Sequence, residues 1–275
     1  VTICLWGYFP IIVKNSQNYT KYRKLERPDY HIESFEDFYM IIPYGLFIRI
    51  LKFSIDKFTY PYFKTKLTKY EGQELDRKCQ KWSRGTFKFI YFGFMFIFGW
   101  QMVLKDTSFC PPLMLGDGEL MNVFSDWPYT EIPKYIRFYY MMSISYYLED
   151  LFIHIIRPPN SDYFEMIMHH IVAMMLIFTS YMNHFWNIGM FVLMQMDIAD
   201  VFVGLIRVCI DFAPNIVLFF IYLSIMISWF YFRFIAYVYW VLFSFSLRGR
   251  LAVDNHTQAV TIINVLLISL LGLNI

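Results

Sequence analysis

Seven apolar segments, separated by polar or proline-containing stretches, dominate this sequence of 275 residues. A helix needs about 20 mostly apolar residues to cross a bilayer, and most of the segments approach or exceed that length. The first segment is marginal because it contains Arg49 and Lys52. The pattern predicts an all-α, polytopic membrane helix bundle with about 6–7 transmembrane helices. The apolar segments are residues 38–55, 86–104, 135–156, 166–182, 188–210, 216–244 and 257–275.

The composition excludes several other classes of protein. Hydrophobic residues make up 57% of the chain and charged residues only 17%, whereas soluble domains carry about 25% charged residues. This balance is not that of a disordered or collagen-like chain. The four cysteines are scattered, so no disulfide framework or zinc site is indicated. With a net charge of +2 and no basic stripe, no nucleic-acid partner is expected.

The charge distribution predicts the domain boundaries and the orientation. Residues 1–37 are expected to form a polar or interfacial segment, and residues 38–275 a single membrane domain. The segment 56–85 carries eight Lys and Arg residues. Because cytosolic loops are enriched in Lys and Arg, we interpret 56–85 as a cytosolic loop.

The ionisable residues inside the apolar segments are the first candidates for function, because burying them in a membrane is costly. His169 and His170 lie near the start of one segment, and Asp197 and Asp200 lie within the next. Asp197 and Asp200 are three residues apart, so they share one helix face. Only a short turn, residues 183–187, joins the two segments, so their helices are expected to be antiparallel neighbours. The imidazoles can then face the carboxylates.

Two interpretations of these four residues remain open at this point. A carboxylate can orient an imidazole that accepts a proton or attacks an acyl group. Alternatively, the four groups only satisfy one another inside a polar bundle. A metal site is less favoured, because the six histidines form no second HxxH-type box, and we predict no metal.

Two arginines and two further acids inside the segments are also candidates for pairing. Arg207 follows Asp200 by seven residues, which favours a structural ion pair on one helix face. Arg233 is expected to pair with an acid or to line a polar cavity. Glu149 and Asp150 are adjacent near the end of a segment, so they lie on different helix faces. We expect them mainly to extend towards the membrane interface, with one of the two facing the cavity of the histidines as the alternative.

Residues 162–211 read DYFEMIMHHIVAMMLIFTSYMNHFWNIGMFVLMQMDIADVFVGLIRVCID. This stretch resembles the Lag motif of the ceramide synthases, which belong to the TLC-domain family. Weaker similarity extends over most of residues 38–245. The matching positions are Asp162, Glu165, His169, His170, Ser180, Tyr181, Gly189, Asp197 and Asp200.

The resemblance implies a fold and an activity. The family fold is a bundle of membrane helices around a central lipid cavity. Its members transfer a fatty acyl group from acyl-CoA, the co-substrate, to the amine of a sphingoid base, in the membrane of the endoplasmic reticulum and without a further cofactor. Carried onto this chain, the catalytic residues would be His169, His170, Asp197 and Asp200. Candidates for lining the cavity or contacting substrate are Glu165, Ser180, Tyr181, Arg207 and Arg233.

The sequence departs from the family pattern at several positions, including Leu148, Ala173, Asn187 and the residues around Gly204. These departures leave the substrate preference open. They motivate a second hypothesis, in which the chain is a non-catalytic structural or lipid-binding subunit of a larger membrane complex, for example in the mitochondrial inner membrane. A lipid-sensing or lipid-transfer protein is a third option. Membrane lipids are expected partners in each case, together with a second copy of the chain or complex subunits.

Overall fold

Seven α-helices account for most of the described chain, and the described residues contain no β-strand. The computed structural model describes residues 34–67, 70–101, 107–110, 116–124, 132–156, 163–248 and 257–273. Asp162 and most of the predicted N-terminal segment therefore lie outside the described residues. The all-α fold class is confirmed. The helices are α1 (Ile41–Lys66), α2 (Gly72–Gly99), α3 (Lys134–Ile156), α4 (Tyr163–Met182), α5 (Trp186–Cys209), α6 (Asn215–Phe230) and α7 (Thr257–Leu273).

Short elements of other helix types extend this bundle. A 3₁₀ helix, Phe35–Met40, leads directly into α1, and Tyr231–Arg248 continues α6 as a wider helix of the π type. Four helical segments of the described chain are long and apolar enough to cross a bilayer, and α7 is apolar but shorter. The molecule is therefore an integral membrane helix bundle. The four segments are Phe35–Lys66, Tyr163–Met182, Trp186–Cys209 and Asn215–Tyr239.

The basic segment 56–85 is largely helical, which corrects its interpretation as a loop. α1 continues to Lys66, and α2 begins at Gly72. Apolar side chains on these helix ends pack together while the basic side chains alternate with them along the helix. This packing stabilises helix where charge alone indicates a loop. The buried residues of this small core are Phe63, Leu67, Cys79 and Trp82.

α5 is the central helix, and α2 lies along it in close contact. A Cβ atom at Gly204 of α5 would lie 2.6 Å from the backbone nitrogen of Phe89 in α2. A Cβ atom at Gly85 of α2 would lie 2.8 Å from the Cβ of Arg207 in α5. Small residues allow membrane helices to approach in this way. α4, which carries the histidine pair, packs more extensively on α3 and α7 than on α5.

Candidate active site

The histidine pair lies on the second turn of α4, and its two rings face different surroundings. Consecutive residues of an α-helix point about 100° apart, and the ring centroids of His169 and His170 are 6.0 Å apart. His170 is buried, with 4% of its surface exposed. His169 is less buried and lines a cavity. His169 therefore faces the cavity, and His170 faces the interior of the bundle.

His170 faces a carboxylate from α3. Its Nε2 atom lies 3.6 Å from Oδ2 of Asp150. Among the described residues, neither ring nitrogen of His170 has a hydrogen-bond partner. The rings of Tyr147 and His154, also from α3, lie 5.9 Å and 6.4 Å from the His170 ring. The chemical environment of His170 is thus set mainly by α3.

Asp150 and Glu149 belong to an ion-pair cluster that connects three helices. The Asp150 carboxylate lies 3.6 Å from Nζ of Lys52 in α1 and 3.8 Å from Nζ of Lys88 in α2. Glu149 also pairs with Lys52, and with Arg49 at 3.1 Å. Both acids are therefore held by ion pairs to neighbouring helices. Their positions on different helix faces explain why only Asp150 meets His170.

The two acids of the motif have partners other than the imidazoles. Asp197 is buried, with 4% exposed, and accepts a hydrogen bond from the hydroxyl of Tyr139 in α3. Asp200 pairs with Arg233, whose Nη2 lies 3.3 Å from its Oδ2. The electrostatic neighbours of His169 include both Asp200 and Arg233. Asp200 is thus the motif acid near His169, and neither Asp197 nor Asp200 forms a hydrogen bond to the histidine pair in the described part of the chain.

The expected ion pair between Asp200 and Arg207 is absent, and Arg207 makes no ion pair among the described residues. Seven residues span almost two turns, or about 10.5 Å along the axis. Arg233 lies on the π helix that follows α6, and its guanidinium reaches Asp200. Arg207 instead packs its Cβ against Gly85 of α2. The spacing along α5 therefore did not identify Arg233 as the partner of Asp200.

A small, mostly apolar cavity lies beside α4 at His169. It has a volume of about 20 Å³. His169 and Ser180 both line it, and eleven positions separate them along α4, so they lie on nearly the same helix face. A cavity of this size holds about one water molecule. The remaining lining residues are Tyr147, Ala173, Leu176, Ile177, Gly189, Val192, Leu193, Met196 and Leu270.

Gly189 lines the cavity and packs against Ser180. A Cβ atom at this position would lie 2.7 Å from Oγ of Ser180 and would collide with the hydroxyl of Tyr140. That hydroxyl donates a hydrogen bond to the carbonyl of Trp186 at 3.0 Å, so the collision cannot be relieved without breaking this bond. Close packing against Tyr140 and Ser180 therefore explains the glycine at this motif position.

The other positions predicted from the motif lie further from the cavity. Glu165 is exposed on the first turn of α4. Tyr181 is completely buried, and its hydroxyl donates a hydrogen bond to Oδ2 of Asp37 at 2.8 Å. Tyr181 thus anchors the 3₁₀ helix that precedes α1. Ser180 is the member of the Ser–Tyr pair that lines the cavity.

Sequence reasoning missed Tyr139 and Lys88, and it left open whether Asp150 or Glu149 faces the histidines. Asp150 faces His170, Tyr139 donates to Asp197, and Lys88 supports Asp150. The adjacent acids at the end of α3 were a usable signal for Asp150, because an ionisable pair inside an apolar segment is itself unusual. A lone tyrosine in an aromatic-rich segment carries no comparable signal. No group of three or more His, Cys, Asp or Glu within the described ranges is arranged to hold a metal ion.

The fold and the site together define a polytopic membrane protein with a histidine pair beside a small, mostly apolar cavity. The family model for the TLC domain matches residues 81–275, and the chain belongs to this family.

Curated relatives are named as ceramide synthases or as related proteins. The chain is 26% identical to the ASC1-like protein of Solanum lycopersicum over 88% of this chain and 83% of that protein. It is 21% identical to the ceramide synthase hyl-2 of Caenorhabditis elegans, over 92% of this chain and 80% of that protein. It is 23% identical to ceramide synthase 1 LOH3 of Arabidopsis thaliana, over 80% and 74% respectively.

Proposed function

We propose that this protein is an N-acyltransferase that joins the acyl group of an acyl-CoA to the amine of a sphingoid base. The observation that carries the proposal is His169 at the head of the apolar cavity, with the buried His170 beside it. A fatty acyl chain lying along α4 would place its thioester near the histidines. The names of the relatives support the same substrates.

The chemistry assigned to the histidines is the deprotonation of the attacking amine. The amine nitrogen forms a bond to the thioester carbonyl carbon, the carbon–sulfur bond breaks, and CoA leaves as the thiolate. An imidazole accepts the amine proton and returns a proton to the leaving sulfur, as general acid–base catalysis requires. In this scheme the Asp200–Arg233 pair lies beside His169, and Asp197 fixes α5 to α3 through Tyr139. Some apolar lining residues must move for an acyl chain to enter a cavity of about 20 Å³.

A non-catalytic lipid-binding or structural subunit of a membrane complex is the second candidate. The specific observation in its favour is that Asp197 and Asp200 are engaged by Tyr139 and Arg233 and form no hydrogen bond to His169 or His170. The two histidines and two acids of the motif would then only form polar contacts that stabilise the interior of the bundle. For the enzyme we propose the endoplasmic reticulum membrane, and for the subunit the mitochondrial inner membrane, which imaging of the tagged full-length chain distinguishes.

The deciding experiment is an acyl-transfer assay on the purified protein in lipid nanodiscs. A sphingoid base is supplied with acyl-CoAs of increasing chain length, and the amide product is measured by mass spectrometry. His170→Ala should lower the rate by about 100-fold or more, since general acid–base catalysis contributes at least that factor. Tyr222→Phe is the control, because Tyr222 is exposed on α6 and lies outside the cavity lining. The absence of amide product with every acyl-CoA would refute the proposal.

A further inference from the structure

We propose that Asp150 is a positioning residue, the carboxylate that orients His170 and stabilises its protonated form during acyl transfer. Asp150 lies in α3, before the motif that contains the histidines and the two other acids. The catalytic consequence rests on the proposed acyl transfer, whereas the pairing of Asp150 with His170 does not.

The first argument is that His170 depends on Asp150. The Nε2–Oδ2 distance is 3.6 Å, slightly longer than an ordinary hydrogen bond of about 2.7–3.2 Å. Catalytic hydrogen bonds are often long without substrate and tighten when it binds. Among the described residues no other group satisfies either nitrogen of this buried ring. A protonated imidazole at this site therefore has Asp150 as its nearest counter-charge.

The second argument is that Asp150 is itself held in place. Lys52 from α1 and Lys88 from α2 lie 3.6 Å and 3.8 Å from its carboxylate. Its side chain retains 20% exposure, so it is not fully enclosed by the bundle. Charged groups in membrane helices usually pair with one another when they serve a functional site. The two lysines offset the cost of keeping a carboxylate beside the buried imidazole.

The third argument is that the helix packing favours α3 over α5 as the source of this carboxylate. α4 packs more extensively on α3 than on α5. Asp197 is bonded to Tyr139, and Asp200 is bonded to Arg233. Neither acid is therefore placed to support His170, and Asp150 supplies the carboxylate that this ring needs.

The test compares Asp150→Asn with Glu149→Gln. Both changes remove one carboxylate from the same lysine cluster, but only Asp150 faces His170. Asp150→Asn should lower kcat by about 100-fold with little change in the KM for acyl-CoA. Asp150→Glu should restore part of the rate, and Glu149→Gln should stay within about three-fold of the wild type. Equal losses in Asp150→Asn and Glu149→Gln would overturn the catalytic role, because a merely structural cluster would respond to either change.

A second measurement does not depend on activity. Nitrogen NMR of ¹⁵N-histidine-labelled protein in nanodiscs reports the protonation and hydrogen bonding of the His170 ring, assigned by comparison with His170→Ala. Asp150→Asn should shift the ring signals of His170, and Glu149→Gln should leave them in place. Unchanged signals in Asp150→Asn would overturn the pairing. If the wild type forms no amide but the signals shift, the proposed function fails while the pairing stands.

Discussion

Replacing Gly204 with alanine probes the close approach of α2 and α5, the two helices that carry Lys88 and the motif acids. The new Cβ atom would lie 2.6 Å and 2.8 Å from the nitrogen and Cα of Phe89. Ordinary carbon contacts are about 3.5–4.0 Å long, so the overlap is about 1 Å. Backbone atoms cannot rotate away as a flexible side chain can. The two helices must therefore separate, and overpacking of this kind costs about 1–3 kcal/mol.

Gly93→Ala is the matched control for this change. Gly93 also lies in α2, and a Cβ atom there would meet nothing within 4 Å. Both substitutions gain about 1 kcal/mol of intrinsic helix propensity, since alanine is the better helix former. The difference between the two variants therefore isolates the collision, and we expect Gly204→Ala to be less stable by about 2 kcal/mol. For a chain of this size the corresponding difference in Tm is about 4–8 °C.

Thermal unfolding in one detergent, followed by tryptophan fluorescence, provides the assay. The comparison uses the wild type and both alanine variants at equal protein concentration. If Gly204→Ala unfolds at the same temperature as Gly93→Ala, the reasoning from a close backbone contact between α2 and α5 at Gly204 is refuted. A lower midpoint for Gly93→Ala than for the wild type would show that helix propensity does not add to stability at that site.

The other predictions concern the partners of the motif acids. Tyr139→Phe should lower stability by about 1–3 kcal/mol, because it removes the hydroxyl that donates to the buried Asp197; an unfolding midpoint equal to that of the wild type would contradict this. Arg233→Gln should reduce acyl transfer by about ten-fold or more through loss of the charge paired with Asp200. Arg207→Gln keeps the Cβ that packs on α2 and should have nearly wild-type activity, so equal losses in the two arginine variants would refute a specific role for the Asp200 pair.

The order of apolar and polar residues was sufficient to predict the helical class and most of the helices. Residues 166–182 and 188–210 were expected as helices, and the structure has Tyr163–Met182 and Trp186–Cys209. Such agreement is expected because the cost of exposing backbone polar groups to lipid leaves helix as the main solution for an apolar segment. The segment 56–85 was harder to predict, because its basic charge is typical of a loop while its apolar face is that of a helix.

The sequence by itself determined which residues are chemically unusual: a histidine pair, two acids on one helix face and two further acids near the end of α3. Only the tertiary structure decided which of these groups meet. A short turn makes α4 and α5 consecutive, yet α4 packs mainly on α3 and α7, so His170 meets Asp150 rather than Asp197 or Asp200. Spacing along one helix gives the face on which a side chain lies. The tilt and depth of the neighbouring helices, which depend on close contacts such as that at Gly204, decide what lies opposite that face.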